Sequence, residues 1–278
     1  MRWNRRQSSL DCRQGGTLKD EDVEVIIEGA GPKSIVMIHG WPDTHRLWDA
    51  QVAALKERYR CVRFTLPGFD VSRPGRAYSL DEVVETIRKV VAANGPSTLL
   101  LHDWGCFFGY QFALRHPELV ERVVGVDIGD GGSRSHRDEL GAKGTFMVMA
   151  YQMWLALAWR IGGGIGTAMA RRMARAMRCP TEQQSIGAQM GYPYALRWLG
   201  IKGGFKRLKT FEPTTPMLYI YAERKPFMFH SRGWIERLAT KPGSRVLGFP
   251  TGHWVMVAQP GEFNDALIAW LAETESIN

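Results

Sequence analysis

The sequence predicts an α/β domain built on a mainly parallel sheet and interrupted by one block of helices. Three observations carry this. Short apolar runs rich in β-branched residues alternate with longer stretches of helical period, the order that gives strands interleaved with helices. The alternation breaks from about Gly131 to Thr210, where no convincing strand is found, and then resumes. The chain has 278 residues, 45% apolar and 23% charged, which is ordinary globular composition at a length just above that where a single core tends to subdivide.

In chain order, the strand-like runs are Val23–Ile27, Ile35–His39, Cys61–Leu66, Thr98–His102, Val123–Ile128, Met217–Tyr221 and Val246–Phe249. Helical periodicity marks Arg46–Arg58, Leu80–Asn94, Gly105–His116, Ser231–Ala239 and Gly261–Glu273. Pro or Gly stands near several of their ends, as in Gly95–Pro96 and Pro117, where it stops the helical pattern.

The break is rich in Met, Trp, Gly and Arg. Met169, Met173 and Met177 recur every fourth residue with Arg171, Arg172, Arg175 and Arg178 between them, the pattern of an amphipathic helix with an adaptable apolar face. Gly162–Gly163–Gly164 follows no strand, so it reads as a joint between helices and not as a dinucleotide-binding loop. Thr145–Trp159 is uncharged for fifteen residues, short of the ~20 a membrane span needs, and is expected to line a pocket or a core.

Composition excludes several classes. Cys12, Cys61, Cys106 and Cys179 lie 49, 45 and 73 residues apart, which offers neither a zinc motif nor a disulfide framework. The amino-terminal residues 1–16 are basic and polar without an apolar stretch or cleavage site, so no secretory signal is expected and the expected location is cytoplasmic. The net charge of +8 is unevenly spread: residues 132–210 hold thirteen Lys and Arg against Asp138, Glu139 and Glu182. Without aromatic–basic interleaving or a nucleic-acid motif, this basic segment reads as a solvated helical face and no nucleic-acid partner is expected.

The chemistry concentrates at strand ends. In LLLHDWGCFFGY, residues 99–110, Asp103 stands between an apolar strand and a helical run opening at Gly105. A residue on such a tight corner projects above the sheet, and the next backbone N–H faces the reacting group. A carboxylate there is ionised at neutral pH and can attack a saturated carbon without a base, which points to epoxides or alkyl halides. The strand Ile35–His39 ends in HGWPD, where Gly40 permits a turn and the N–H of Trp41 can point inward; with the N–H of Trp104 it would stabilise an oxyanion. After Val246–Phe249, PTGHW puts His253 in a loop, suited to activating water near neutral pH.

Together HGWPD, the HDWG corner and the late GHW resemble the α/β-hydrolase superfamily, in its epoxide hydrolase and haloalkane dehalogenase branch, over nearly all of residues 20–274. The order nucleophile, then histidine fits that arrangement. The resemblance implies an α/β-hydrolase core with an inserted helical cap: a tail at 1–16, core at 17–131, cap at 132–210 and core again at 211–278. It also implies two cap tyrosines that polarise the epoxide oxygen. Tyr151 resembles the first, and Tyr192 the second, with Tyr194 its nearest competitor. The acid partner of the histidine usually follows the strand corresponding to Met217–Tyr221, but this chain has Lys225 there, which cannot orient an imidazolium. Asp130, after the preceding strand, is the candidate acid, with Asp127 and Glu223 as alternatives.

The resulting expectation is an epoxide-opening hydrolase in which Asp103 forms an alkyl ester while Tyr151 and Tyr192 donate to the oxygen. His253, oriented by Asp130, then directs water onto the ester, and the Trp41 and Trp104 N–H groups hold the oxyanion. The substrate is expected to be small, mostly apolar and electrophilic, with water as co-substrate and no metal or organic cofactor. Alternatives are carbon–halogen hydrolysis by the same Asp103 and His253, and a non-catalytic ligand-binding relative.

Overall fold

A computed structural model describes residues 17–19, 23–206 and 208–275; the tail at 1–16, with Cys12, lies outside the described residues. The strands are β1 (Thr17–Lys19), β2 (Glu24–Glu28), β3 (Ser34–Ile38), β4 (Arg60–Phe64), β5 (Ser97–His102), β6 (Val120–Val126), β7 (Met217–Ala222) and β8 (Arg245–Phe249). They form one sheet in the order β1-β2-β4-β3-β5-β6-β7-β8. β2 runs antiparallel to β1 and to β4, and every other pairing is parallel. All seven strand-like runs of the sequence fall on β2 to β8; β1, three residues without an apolar run, is the addition.

The helices are α1 (Asp49–Leu55), α2 (Leu80–Ala92), α3 (Trp104–Arg115), α4 (Arg134–Ile161), α5 (Gly163–Ala176), α6 (Tyr192–Leu199), α7 (Arg232–Ala239), α8 (Val255–Ala258) and α9 (Pro260–Glu275). The helix expected at Arg46–Arg58 is a 3₁₀ turn, His45–Trp48, followed by the shorter α1. α2 begins on a capping box, with Ser79 and Glu82 satisfying each other's backbone N–H. Between β6 and β7 the described chain holds only helices and turns. α4 is broken at Gly141 (φ 65°) and ends at Gly162 (φ 66°), which opens α5.

Strand period two sorts the core onto both faces of the sheet. Val36, Ile38, Leu99 and Leu101 pack toward α2, α3 and the helices that follow β6. Ile35, Met37 and Leu100 pack toward α1, α8 and α9. Parallel strands buried on both sides read as continuous apolar runs, which is why β3 and β5 are buried at every position.

One charge is buried in this second layer. Arg122 of β6 is 1% exposed and donates to Thr98 Oγ1 (3.2 Å), Leu271 O (3.2 Å) and Thr274 Oγ1 (3.1 Å), fastening α9 to the sheet. Arg122→Ala would remove the buried guanidinium from that carbonyl and two hydroxyls and open a cavity. Urea denaturation is expected to show a loss of about 2–4 kcal/mol, whereas the exposed Arg88→Ala is expected to change the midpoint little.

Candidate active site

Five loops at the carboxyl ends of β3, β5, β6, β7 and β8 meet in one place. Asp103 joins β5 to α3 with φ 52° and ψ −121°, a left-handed backbone that an L-residue adopts only under external support. The support comes from the loop after β3. A Cβ on Gly40 would lie 2.3 Å from Asp103 Oδ1 and 2.5 Å from the Trp104 nitrogen, so only glycine lets the two backbones approach. That approach brings the Trp41 N–H to Asp103 Oδ1 at 2.7 Å, and the Trp104 N–H also hydrogen-bonds the carboxylate. Both N–H groups singled out in the sequence therefore converge on one side chain.

His253, in the loop between β8 and α8, points its Nε2 at Asp103 Oδ2 (3.4 Å). Its Nδ1 hydrogen-bonds Asp127 Oδ2. Asp127 is fully buried at the end of β6, with φ 68°, and its Oδ1 accepts from the Ala222 N–H (2.9 Å) and from Lys225 Nζ (2.5 Å). The acid facing the histidine is thus Asp127 and not Asp130. Asp130 accepts from the Ser231 N–H, Ser231 Oγ and Ser133 Oγ, each at 2.7 Å, and so secures the starts of α7 and α4. Glu223 is exposed beside Gly248. The three acids lie within a few residues of adjacent strand ends, and sequence spacing alone does not say which one turns inward.

The four charges support one another. Burial pushes the Asp127 carboxyl up, but Lys225 and His253 outweigh it and hold the group down at about 2. Burial opposes a charged His253, yet its bonds to Asp103 and Asp127 raise it to about 9. Asp103, despite burial, lies below the usual carboxylate range because His253 donates to it. At neutral pH the site is therefore a chain of alternating charge: Lys225, Asp127, His253, Asp103.

A cavity of about 160 Å³ opens over Asp103. Trp104 and Phe107 form its floor, and Tyr151, Tyr194 and Met149 are among the side chains that α4 and α6 bring over it. Tyr194 meets Trp104 edge-on at 5.1 Å and Tyr151 at 6.2 Å between ring centres. Burial holds both phenols well above their ordinary value, so both stay protonated. The second expected tyrosine, Tyr192, is buried between Phe69 and Tyr78 and does not line the cavity, and its hydroxyl has no hydrogen-bond partner among the described residues. Residues two apart on a helix point about 200° apart, so the choice between Tyr192 and Tyr194 decides between core and cavity.

Three residues were not singled out by sequence. His39 is structural: its Nδ1 donates to Gly40 O and its Nε2 accepts from the Leu66 N–H, while burial lowers it to about 4. His102 lies with its ring 4.5 Å from that of His253 and is kept neutral by burial and by His253. Asp43, the last residue of HGWPD, is fully buried and accepts from Trp254 Nε1 (2.9 Å) and from Thr181 Oγ1 (2.5 Å). An acidic residue closing a buried motif was the signal available for it.

A model of the alpha/beta hydrolase fold family matches residues 33–259. Among curated proteins, epoxide hydrolase 1 of Caenorhabditis elegans is 31% identical over 122 residues, 42% of this chain and 30% of that protein. A cis-3-alkyl-4-alkyloxetan-2-one decarboxylase of Xanthomonas campestris is 33% identical over 102 residues, 32% of this chain and 34% of that protein. The matched stretch thus spans about a third of the length of these relatives. Among solved structures, an epoxide hydrolase variant from Bacillus megaterium superposes with a TM-score of 0.71 at 20% identity, over 92% of this chain and 100% of that one. At that identity the likeness concerns the fold.

The charge chain sets a stability window. His253 is raised from 6.5 to about 9, so its contribution is full below pH 6.5 and lost as pH rises through 9. Asp127 is lowered from 3.8 to about 2, so its contribution is present above 3.8 and lost as pH falls through 2. Asp127→Asn is expected to lower the imidazole titration midpoint of His253, followed by NMR, and to flatten the alkaline fall in stability. Asp130→Asn is expected to leave that midpoint in place and to lower the thermal midpoint through the loosened start of α7.

Proposed function

We propose, from the premise that the chain belongs to the alpha/beta hydrolase fold family, that it hydrolyses epoxides to vicinal diols through an ester on Asp103. The observation that carries the reading is a carboxylate, not a hydroxyl, at the strained β5–α3 corner, beneath two protonated tyrosines. Asp103 Oδ2 attacks a ring carbon, the C–O bond breaks, and Tyr151 and Tyr194 donate to the oxygen as it gains charge. Oδ1, already in contact with the Trp41 N–H, becomes the ester carbonyl oxygen.

Ester formation changes the electrostatics of the base. While Asp103 is ionised, His253 is held protonated up to about pH 9. Once the ester has consumed that negative charge, one of the two anions supporting the imidazolium is gone, and His253 gives up its proton more readily, leaving the ring-opened oxygen as a hydroxyl. The neutral imidazole, oriented by Asp127, takes a proton from water, which attacks the ester carbonyl. The tetrahedral oxyanion is held by the Trp41 and Trp104 N–H groups; its collapse expels the alkoxide, which takes the proton of the new carboxyl hydroxyl, so that the diol leaves, Asp103 is ionised again and His253 is left protonated. The base is thus switched on by the first half-reaction.

Carbon–halogen hydrolysis by the same Asp103 and His253 is a second reading. It is favoured by the Trp104 indole, which lines the cavity over Asp103. Halide release from haloalkanes distinguishes it from the first.

His253→Gln, mixed with a panel of aryl and alkyl epoxides, is expected to accumulate a protein species heavier by the mass of the substrate, located on Asp103 by peptide mass spectrometry. Asp103→Asn is expected to give no adduct and no diol; an undiminished rate in that variant would overturn the reading. Tyr194→Phe and Tyr151→Phe are each expected to lower kcat/KM by about a hundredfold or more, whereas Tyr192→Phe stays near wild type.

A further inference from the structure

The outward face of the helices between β6 and β7 combines two properties. The first is apolar exposure. Of the eleven large apolar side chains exposed among the described residues, nine lie between Phe146 and Leu208. Phe146, Met149, Met153, Leu157 and Ile161 follow one another along α4 at spacings of three and four, which keeps them on one face of the helix. Ile165 of α5 continues the patch at 71% exposure, and Trp154 fastens the two helices through its Nε1 bond to Met169 O (3.0 Å). Side chains of this kind scattered singly need no explanation, but a contiguous ridge marks a contact surface.

The second property is unpaired positive charge. From residue 141 to residue 200 the chain has seven Lys and Arg against Glu182 alone. Lys143 precedes the α4 ridge, Arg160 stands beside its last residue, and Arg172 is exposed on α5. None of the seven forms an ion pair with a carboxylate among the described residues. On the rest of the molecule Arg73, Arg88, Arg115, Arg237 and Arg245 each pair with an acid.

The geometry points to a peripheral docking face for an anionic lipid surface, formed by the exposed sides of α4 and α5. The combination selects this occupant. A second copy of the same face would bring two unpaired cationic surfaces together. The amino-terminal residues 1–16, with four arginines against Asp11, carry the same sign and do not complement it either. An anionic bilayer answers both properties: headgroups meet the cations, while Phe, Leu, Ile and Met side chains enter the boundary beneath them. No helix among the described residues is long and apolar enough to cross a membrane, so the contact is superficial. Met149 belongs both to this ridge and to the cavity over Asp103, so the docked face also carries part of the pocket mouth. The binding does not depend on which reaction that pocket performs.

Co-sedimentation of the full chain with vesicles tests it. Binding to vesicles of equimolar phosphatidylcholine and phosphatidylglycerol, absent with phosphatidylcholine alone and released by added salt, is expected. Arg160→Glu with Arg172→Glu is expected to weaken partitioning more than about tenfold, and Leu157→Asp with Met153→Asp to abolish it. Arg88→Glu with Arg237→Glu, an equal double reversal outside this face, is expected to leave binding within about twofold. Far-UV circular dichroism of each variant establishes that it is folded. Equal binding to both vesicles, or to neither, overturns the proposal. So does a dimer that Leu157→Asp dissociates, or retention by an acidic peptide with no vesicle binding.

Discussion

The site depends on how closely three stretches of backbone can approach at the carboxyl ends of the central strands. Asp103 occupies a left-handed conformation that costs about 1–3 kcal/mol and persists only where its surroundings impose it. What imposes it is the start of α3 packed directly on the end of β3: a Cβ on Gly105 would lie 2.2 Å from Ile38 O, just as one on Gly40 would strike Asp103 itself. Two glycines, one on each side of the contact, let the corner close. Closure then aims the Trp41 N–H at the carboxylate without any side chain having to move. The strain and the convergence of two N–H groups on the Asp103 carboxylate are two results of the same packing.

Electrostatics follow from that placement. Lys225, Asp127, His253 and Asp103 alternate in sign, and Asp127 and Lys225 are almost wholly buried. Removing a member of a buried ion chain strands its neighbour, which is costlier than never having had the pair. Lys225 stands after β7, where an acid was expected, and Asp127 stands after β6. These strands are adjacent and parallel, with Val126 beside Ile220, so their ends present side chains to the same point. The sheet accepts the acid from either strand, and here the vacated position supplies the cation that keeps the relocated acid ionised.

This also explains what the sequence made legible. Strands buried on both faces leave apolar runs that survive any error at their ends; Asp103 and His253 each stand next to such a run, and the structure brings the two side chains together. Asp127 was passed over for Asp130 because three residues at a strand end are within the uncertainty of where the strand stops, while the direction of a side chain there reverses from one residue to the next. Tyr192 and Tyr194 posed the helical form of the same difficulty. Both choices turn on side-chain direction, which composition does not carry and which packing of α6 and β6 fixes. β1 escaped notice because three residues, Thr17–Lys19, are too few to show a period.

Asp43 joins these levels. It lies in the loop after β3, the same loop whose glycine admits Asp103, and burial raises its carboxyl to about 6 even though Thr181 and Trp254 both donate to it. Thr181 belongs to the chain between α5 and α6, and Trp254 is the residue after His253. Its position thus ties the helices that carry Tyr151 and Tyr194 to the loop that carries His253. His102 completes the tie by hydrogen-bonding the His253 carbonyl at 3.2 Å through Nε2, and burial keeps it neutral. Were His102 charged, it would repel the imidazolium 4.5 Å away and undo the alternation on which His253 depends. A neutral histidine there holds the loop by hydrogen bonding alone, and this is what allows His253 to take its charge from Asp103 and Asp127.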